Sequence, residues 1–201
     1  MEWISKILFG ISNSLLIPVI ILLIVFFVRV VIMAGAFYGR FLTRRRNTKA
    51  YQAIIDDFTH HSAEELSAAL PTYDNALVIP YLRRLLSRPG DTDYAEYLIS
   101  DFENQATKDL IACRLLSKIG PILGLMGTLI SMSPALVGLS SGDVSGMAYN
   151  MQVVFATTVV GLVISGVAIV VLLYSQRWYD KDANNLTYVA NVLAERSQAH
   201  E

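Results

Sequence analysis

The sequence predicts an all-α membrane protein with three transmembrane helices, a cytoplasmic helical insertion, helices that extend into the cytoplasm, and assembly into a homo-oligomeric ring. Three observations predict it. Residues 7–28, 119–142 and 144–176 carry no charge, and since about 20 apolar residues cross the ~30 Å hydrocarbon layer as a helix, each run can span a bilayer. The polar segments between them repeat their apolar residues at helical rather than strand spacing. The chain is 54% hydrophobic and 16% charged, too apolar for an ordinary soluble domain and too interrupted for a pure multi-span bundle.

The first element, residues 1–39, is a short tail followed by a retained span. Its uncharged run is too long for the roughly 7–15-residue apolar core of a secretory signal, and no small-residue cleavage site follows it. Arg29, at the end of that run, reads as an arginine that snorkels to the headgroups. Arg40, Arg44, Arg45, Arg46 and Lys49 come next without an acid among them. By the positive-inside rule these residues lie in the cytoplasm and the N-terminus outside. Arg29, Arg44, Arg45 and Arg46 are thus interface and topology residues.

Residues 40–118 form the cytoplasmic helical domain. Ser62-Ala-Glu-Glu65 is a capping box ahead of Leu66 and Leu70, and Pro71 ends that helix. Residues 76–86 are a short amphipathic piece closed by Pro89-Gly90. A second box-like start at Asp93 and Glu96 opens a helix whose apolar stripe is Tyr94, Leu98, Phe102, Ala106, Leu110 and Cys113. No helix breaker lies between Asp93 and Gly120, so this helix is expected to run straight into the second span.

Residues 119–176 form a transmembrane hairpin with Asp143 at its turn. Its first arm contains Gly120, Gly124, Gly127, Thr128, Ser131 and Ser133, its second Thr157, Thr158, Gly161, Ser165 and Gly166. Lipid tails give helices no hydrophobic reason to associate, so small residues and hydroxyl groups must hold such a bundle together. Gly120, Gly124, Gly127, Gly161 and Gly166 are therefore assigned to helix packing. Pro134 withholds one backbone hydrogen bond and is expected to bend or end the first arm. Residues 177–201 carry the apolar rhythm Leu186, Val189, Val192, Leu193 and read as a cytoplasmic amphipathic helix, with Trp178 and Tyr179 at the membrane interface.

Several function classes find no support. The formal net charge of −1 argues neither for nucleic acid nor for an acidic substrate. A single cysteine, Cys113, forms no intrachain disulfide, and His60-His61 without a third ligand is no metal site. No phosphate-binding loop is present, and three spans without an inverted repeat or a charged site disfavour a small-solute transporter. Neither an enzyme activity nor a cofactor is expected.

Gly120-Pro-Ile-Leu-Gly-Leu-Met-Gly-Thr-Leu-Ile-Ser-Met132 and Ala156-Thr-Thr-Val-Val-Gly-Leu162 resemble the two pore-forming spans of the MotA/TolQ/ExbB proton-channel family, over about residues 112–179. The resemblance implies an ion-channel subunit, conducting protons, of a motor in the bacterial inner membrane. Copies of such a subunit, typically five, form a ring around a one-span ExbD-, TolR- or MotB-like partner whose membrane aspartate carries the proton. On spacing alone the favoured reading of Thr128 and Thr158 is packing against helices; matching positions in the family motifs reverse it and nominate both as pore-facing hydroxyls. Ser131 and Ser165 remain open between pore and packing. TolQ and ExbB carry a glutamate where this chain has Val153, which leaves the family branch, and H⁺ versus Na⁺, open; MotA-type subunits lack that glutamate.

The residues themselves also call for a partner. Neither arm holds an Asp, Glu, His, Lys or Arg within its uncharged run, yet intramembrane proton relays ordinarily use an ionisable group, and hydroxyls such as those of Thr128, Ser131, Thr158 and Ser165 do not hold a proton at ordinary pH. The alternative is a non-conducting oligomeric membrane scaffold, in which both threonines are dispensable.

Overall fold

The computed structural model describes residues 2–71 and 76–198, and of residues 2, 5, 6 and 46–51 the backbone only. The side chain of Arg46 therefore lies outside the described residues. Among the described residues six helices follow one another: α1 Glu2–Ser14, α2 Leu16–Asp56, α3 Ala63–Ala69, α4 Val78–Ser87, α5 Thr92–Ser141 and α6 Val144–Gln198. No strand occurs among the described residues. The stretches Ile7–Arg45, Thr92–Ser141 and Val144–Gln198 are each long and apolar enough to cross a membrane.

The first apolar run is not one helix. Pro18 has no N–H to offer the Ser14 carbonyl, and its ring crowds that carbonyl, so the chain turns at Leu15. The Leu15 N–H bonds back to Ile11 O and Ser12 O at 3.2 and 3.1 Å. α1 is thereby a separate helix that exposes Trp3, Ile4, Leu8 and Ile11.

Contacts divide the chain into two units, residues 1–34 with 112–172, and residues 35–111 with 173–201. In the first, Val19, Leu23 and Val30 of α2 bury themselves against Leu116 and Leu123 of α5 and Ile164 and Ala168 of α6. Cys113 is buried there, its thiol 3.3 Å from Met33 Sδ. Little else is covered: Ile122, Leu125, Leu129, Phe155, Val159 and Leu162 all remain exposed, as suits a surface that meets lipid or another polypeptide.

The second unit has an ordinary core. Ile55 and Phe58, Leu66 of α3, Leu82 of α4, Leu98 and Phe102 of α5, and Leu186, Val189 and Val192 of α6 form one buried cluster. The Ser62 capping box is fully formed, Glu65 N–H donating to Ser62 Oγ at 3.2 Å and Ser62 N–H to Glu65 Oε2 at 3.3 Å. The start of α5 differs from expectation. Its cap is Asp91, whose Oδ1 accepts from the Tyr94 N–H at 3.0 Å, because Gly90 turns the chain at φ +89 and frees the helix to begin at Thr92. Residues 40–118 and 177–201, expected as separate domains, both contribute to this one core.

α5 holds 50 residues and α6 holds 55, more than twice the ~20 a span requires. α5 passes through both Pro121 and Pro134, so Pro134 does not end the first arm. The turn after α5 is a Schellman motif: Asp143 N–H bonds Gly138 O at 2.9 Å and Gly142 N–H bonds Leu139 O at 3.3 Å, with Gly142 at φ +78. Asp143 then caps α6, accepting from the Gly146 N–H at 2.9 Å.

Candidate functional site

The two hairpin arms meet at glycines. A Cβ added to Gly120 would stand 2.8 Å from Gly161 O, one on Gly124 3.1 Å from Thr157 O, and one on Gly161 2.6 Å from Gly120 O. Gly127 abuts the Thr157 side chain. Bare backbones are therefore in contact, which only glycine allows. Gly166 is different: it is exposed, and a Cβ there meets nothing within 4 Å. The packing assigned to it from sequence does not occur within the chain, because it falls on the side of α6 away from α5.

Ser165 answers a defect created by Pro121. A proline cannot bond the carbonyl four residues back, so Ser117 O is left without its helical donor. Ser165 Oγ of α6 donates to that carbonyl at 2.7 Å. Backbone groups inside a membrane must be satisfied within the protein, and a hydroxyl on the neighbouring helix does it here. Ser165→Ala should destabilise the hairpin by about 1–2 kcal/mol, read from denaturation in mixed micelles. Pro121→Ala should rescue it by restoring the helix's own donor; failure to rescue would break this account.

The four hydroxyls named as an ion pathway thus separate into two pairs. Ser131 and Ser165 are buried between the arms, at 0% and 6% exposure, so neither lines a surface that the chain presents. Ser131 Oγ is buried without a hydrogen-bond partner. Thr128 and Thr158 are half-buried. Thr128 Oγ1 donates to Leu125 O at 2.7 Å and Thr158 Oγ1 to Val154 O at 3.0 Å. Each hydroxyl is held by its own helix, with oxygen lone pairs left over.

Both threonines lie on the same side of the hairpin. On α5 the stripe that meets α2 is Leu116, Ile119, Leu123, Met126 and Ile130, and at ~100° per residue Thr128 stands about 160° from its centre. On α6 the stripe is Val160, Ile164, Val167 and Ala168, and Thr158 stands about 135° from it. Thr158 also adjoins the crossing, its Cα 3.4 Å from the Cβ position of Gly124. Sequence reasoning did not single out Thr157, which is buried at the crossing and donates to Val153 O and Val154 O at 3.0 and 3.1 Å.

Residues 87–187 match the MotA/TolQ/ExbB proton channel family. The chain belongs to this family. The match covers just over half of the 201 residues, including all of α5 and the whole of the third uncharged run. Neither the curated proteins nor the solved structures hold a significant match. Membership in a channel family, with three helices able to cross a membrane, makes this MotA/TolQ/ExbB-family chain a multi-pass membrane protein of the transport type.

The basic residues expected at the interface have unequal environments in this MotA/TolQ/ExbB-family protein. Arg45 is exposed. Arg29 is exposed too, on α2 about 16 Å before Arg40 along the axis. Arg44 is a structural residue: it forms a two-pronged pair with Asp182, at 2.9 Å to Oδ2 and 2.5 Å to Oδ1, and lies 5.3 Å over the Trp178 ring. Asp182 is 1% exposed, and a carboxylate taken so far from water needs such a bidentate partner. The helical spacing of Asp182 alone did not mark it as buried.

Proposed function

We propose that this chain is the ring-forming subunit of an ion-driven motor in the bacterial inner membrane, conducting protons past a one-span partner of the ExbD, TolR or MotB kind. Copies of the chain, five in the family's usual arrangement, stand with N-termini outside and the helical unit of residues 35–111 and 173–201 in the cytoplasm. The observation that carries the reading is the shared side of the hairpin that presents Thr128 and Thr158 and is not covered by the first span. Hydroxyls there solvate a charge, yet the uncharged runs hold no Asp, Glu, His, Lys or Arg to carry the proton. The titrating carboxylate comes from the partner.

The cycle follows from electrostatics. A carboxylate is expensive against an apolar wall and inexpensive once protonated. Protonation lets the partner pass the apolar exposed residues of α5 and α6, and deprotonation arrests it where hydroxyls solvate the charge. One charge crossing 100 mV releases about 2.3 kcal/mol, nearly four times thermal energy, sufficient for a mechanical step.

The test is reconstitution into vesicles under an imposed potential, with and without a one-span partner encoded beside this chain. Flux is expected from the pair and not from the chain alone, and partner Asp→Asn should stop it. An assembled pair that conducts nothing would favour the scaffold; conduction by the chain alone would remove the need for a partner carboxylate.

A further inference from the structure

The helical unit of residues 35–111 and 173–201 contains a cavity of about 610 Å³, within the roughly 300–1,000 Å³ of small-molecule sites. Its charged lining is Arg40, Arg44 and Asp109. Arg44 is already neutralised by Asp182. Arg40 is exposed and forms no ion pair among the described residues. Asp109 is likewise exposed and, among the described residues, accepts only the Tyr179 hydroxyl, at 3.0 Å. Among the described residues the cavity thus offers one cation and one anion that form no ion pair. Both bear on the same phenol in opposite senses: burial and then Asp109 push Tyr179 up to about 12, while Arg40 pulls it down.

The depth of the cavity is set by the chain. Trp178 and Tyr179 come just after the third uncharged run, where amphipathic aromatics sit among headgroups, and Arg40 follows the uncharged stretch 30–39. Trp178 stacks on Phe37 with centroids 5.2 Å apart and planes 10° apart and carries Arg44 over its ring, so this wall of the cavity is held in place by its neighbours. Gly39, which also lines the cavity, has nothing within 4 Å of a Cβ position.

We propose that this cavity binds the headgroup of one zwitterionic aminophospholipid, its phosphate on Arg40 and its ammonium on Asp109. A guanidinium favours phosphate, and Asp109 discriminates, because it attracts the ammonium of phosphatidylethanolamine and repels a headgroup that is only anionic. The inference rests on the membrane spans and not on ion coupling, so it stands or falls separately from the channel function.

Native mass spectrometry of the full-length chain in detergent, with added phosphatidylethanolamine and phosphatidylglycerol of the same acyl chains, tests it. The wild-type chain should retain one phosphatidylethanolamine in preference to phosphatidylglycerol. Arg40→Ala and Gly39→Leu should each lower retention about tenfold, the latter by filling the space with Arg40 intact, and Asp109→Asn should erase the preference. Equal retention by wild type, Arg40→Ala and Gly39→Leu would overturn the proposal. So would a wild-type chain that retains neither lipid because a second copy covers the cavity, which a cross-link from Gly39→Cys would reveal.

Discussion

Replacing both Thr128 and Thr158 by valine is expected to lower ion flux through the partnered complex at least about tenfold, a loss of about 1.4 kcal/mol of barrier stabilisation, while the oligomer assembles normally. The two expectations come from one geometry. Each hydroxyl donates to a carbonyl of its own helix, a bond that slightly strains a helix rather than securing it, and neither threonine belongs to the buried cluster with α2. Removing them therefore costs little folding energy. What disappears is the oxygen facing away from the first span, which a charged carboxylate would need beside an otherwise apolar wall. Valine preserves shape, so a loss of flux reads the hydroxyl alone, and threonine to serine at both positions should retain most of it. Wild-type flux in the double valine variant would sink the assignment of these residues to the ion path.

The second large effect is structural. Gly161→Leu is expected to prevent the hairpin from closing, and even Gly161→Ala to destabilise it by about 1–3 kcal/mol. A Cβ at this position stands 2.6 Å from Gly120 O, 2.9 Å from Gly124 Cα and 3.1 Å from Gly124 N. All three are backbone atoms of a continuous helix, so no side chain can swing aside, and the arms must part. Parting also stretches the Ser165 bond to Ser117 O, returning an unsatisfied carbonyl to the membrane. Gly166→Ala supplies the contrast, since its Cβ enters open space. Denaturation in mixed micelles should place Gly161→Ala well below wild type and Gly166→Ala at wild type; equal stability of both would refute the close crossing.

Much of the architecture could be read from the chain because its signals are local. Uncharged length marks the three membrane helices, the Ser62 box reports a helix start within four residues, and the stripe from Leu98 to Leu110 shows a buried face at fixed spacing. What could not be read depends on residues far apart in sequence. Pro121 leaves the Ser117 carbonyl without its helical donor, and only the fold shows that Ser165, 48 residues beyond Ser117, takes over the bond. Asp182 looks like one more charge on a solvated helix until it meets Arg44. Ser131 and Thr128 share a motif, yet one turn of helix sends the first into the crossing and leaves the second half-exposed.

By itself, then, the order of residues determined which segments are apolar enough to enter a membrane, where most helices begin and end, and that the uncharged runs hold no Asp, Glu, His, Lys or Arg. Free energies of transfer and hydrogen bonding act along the chain at fixed intervals, so these properties are written locally. Which glycines touch, which hydroxyls face outward and which charges are withdrawn from water were decided only by the tertiary structure. They depend on the rotation of one helix against another, a quantity that periodicity constrains to a face and packing alone resolves to an atom.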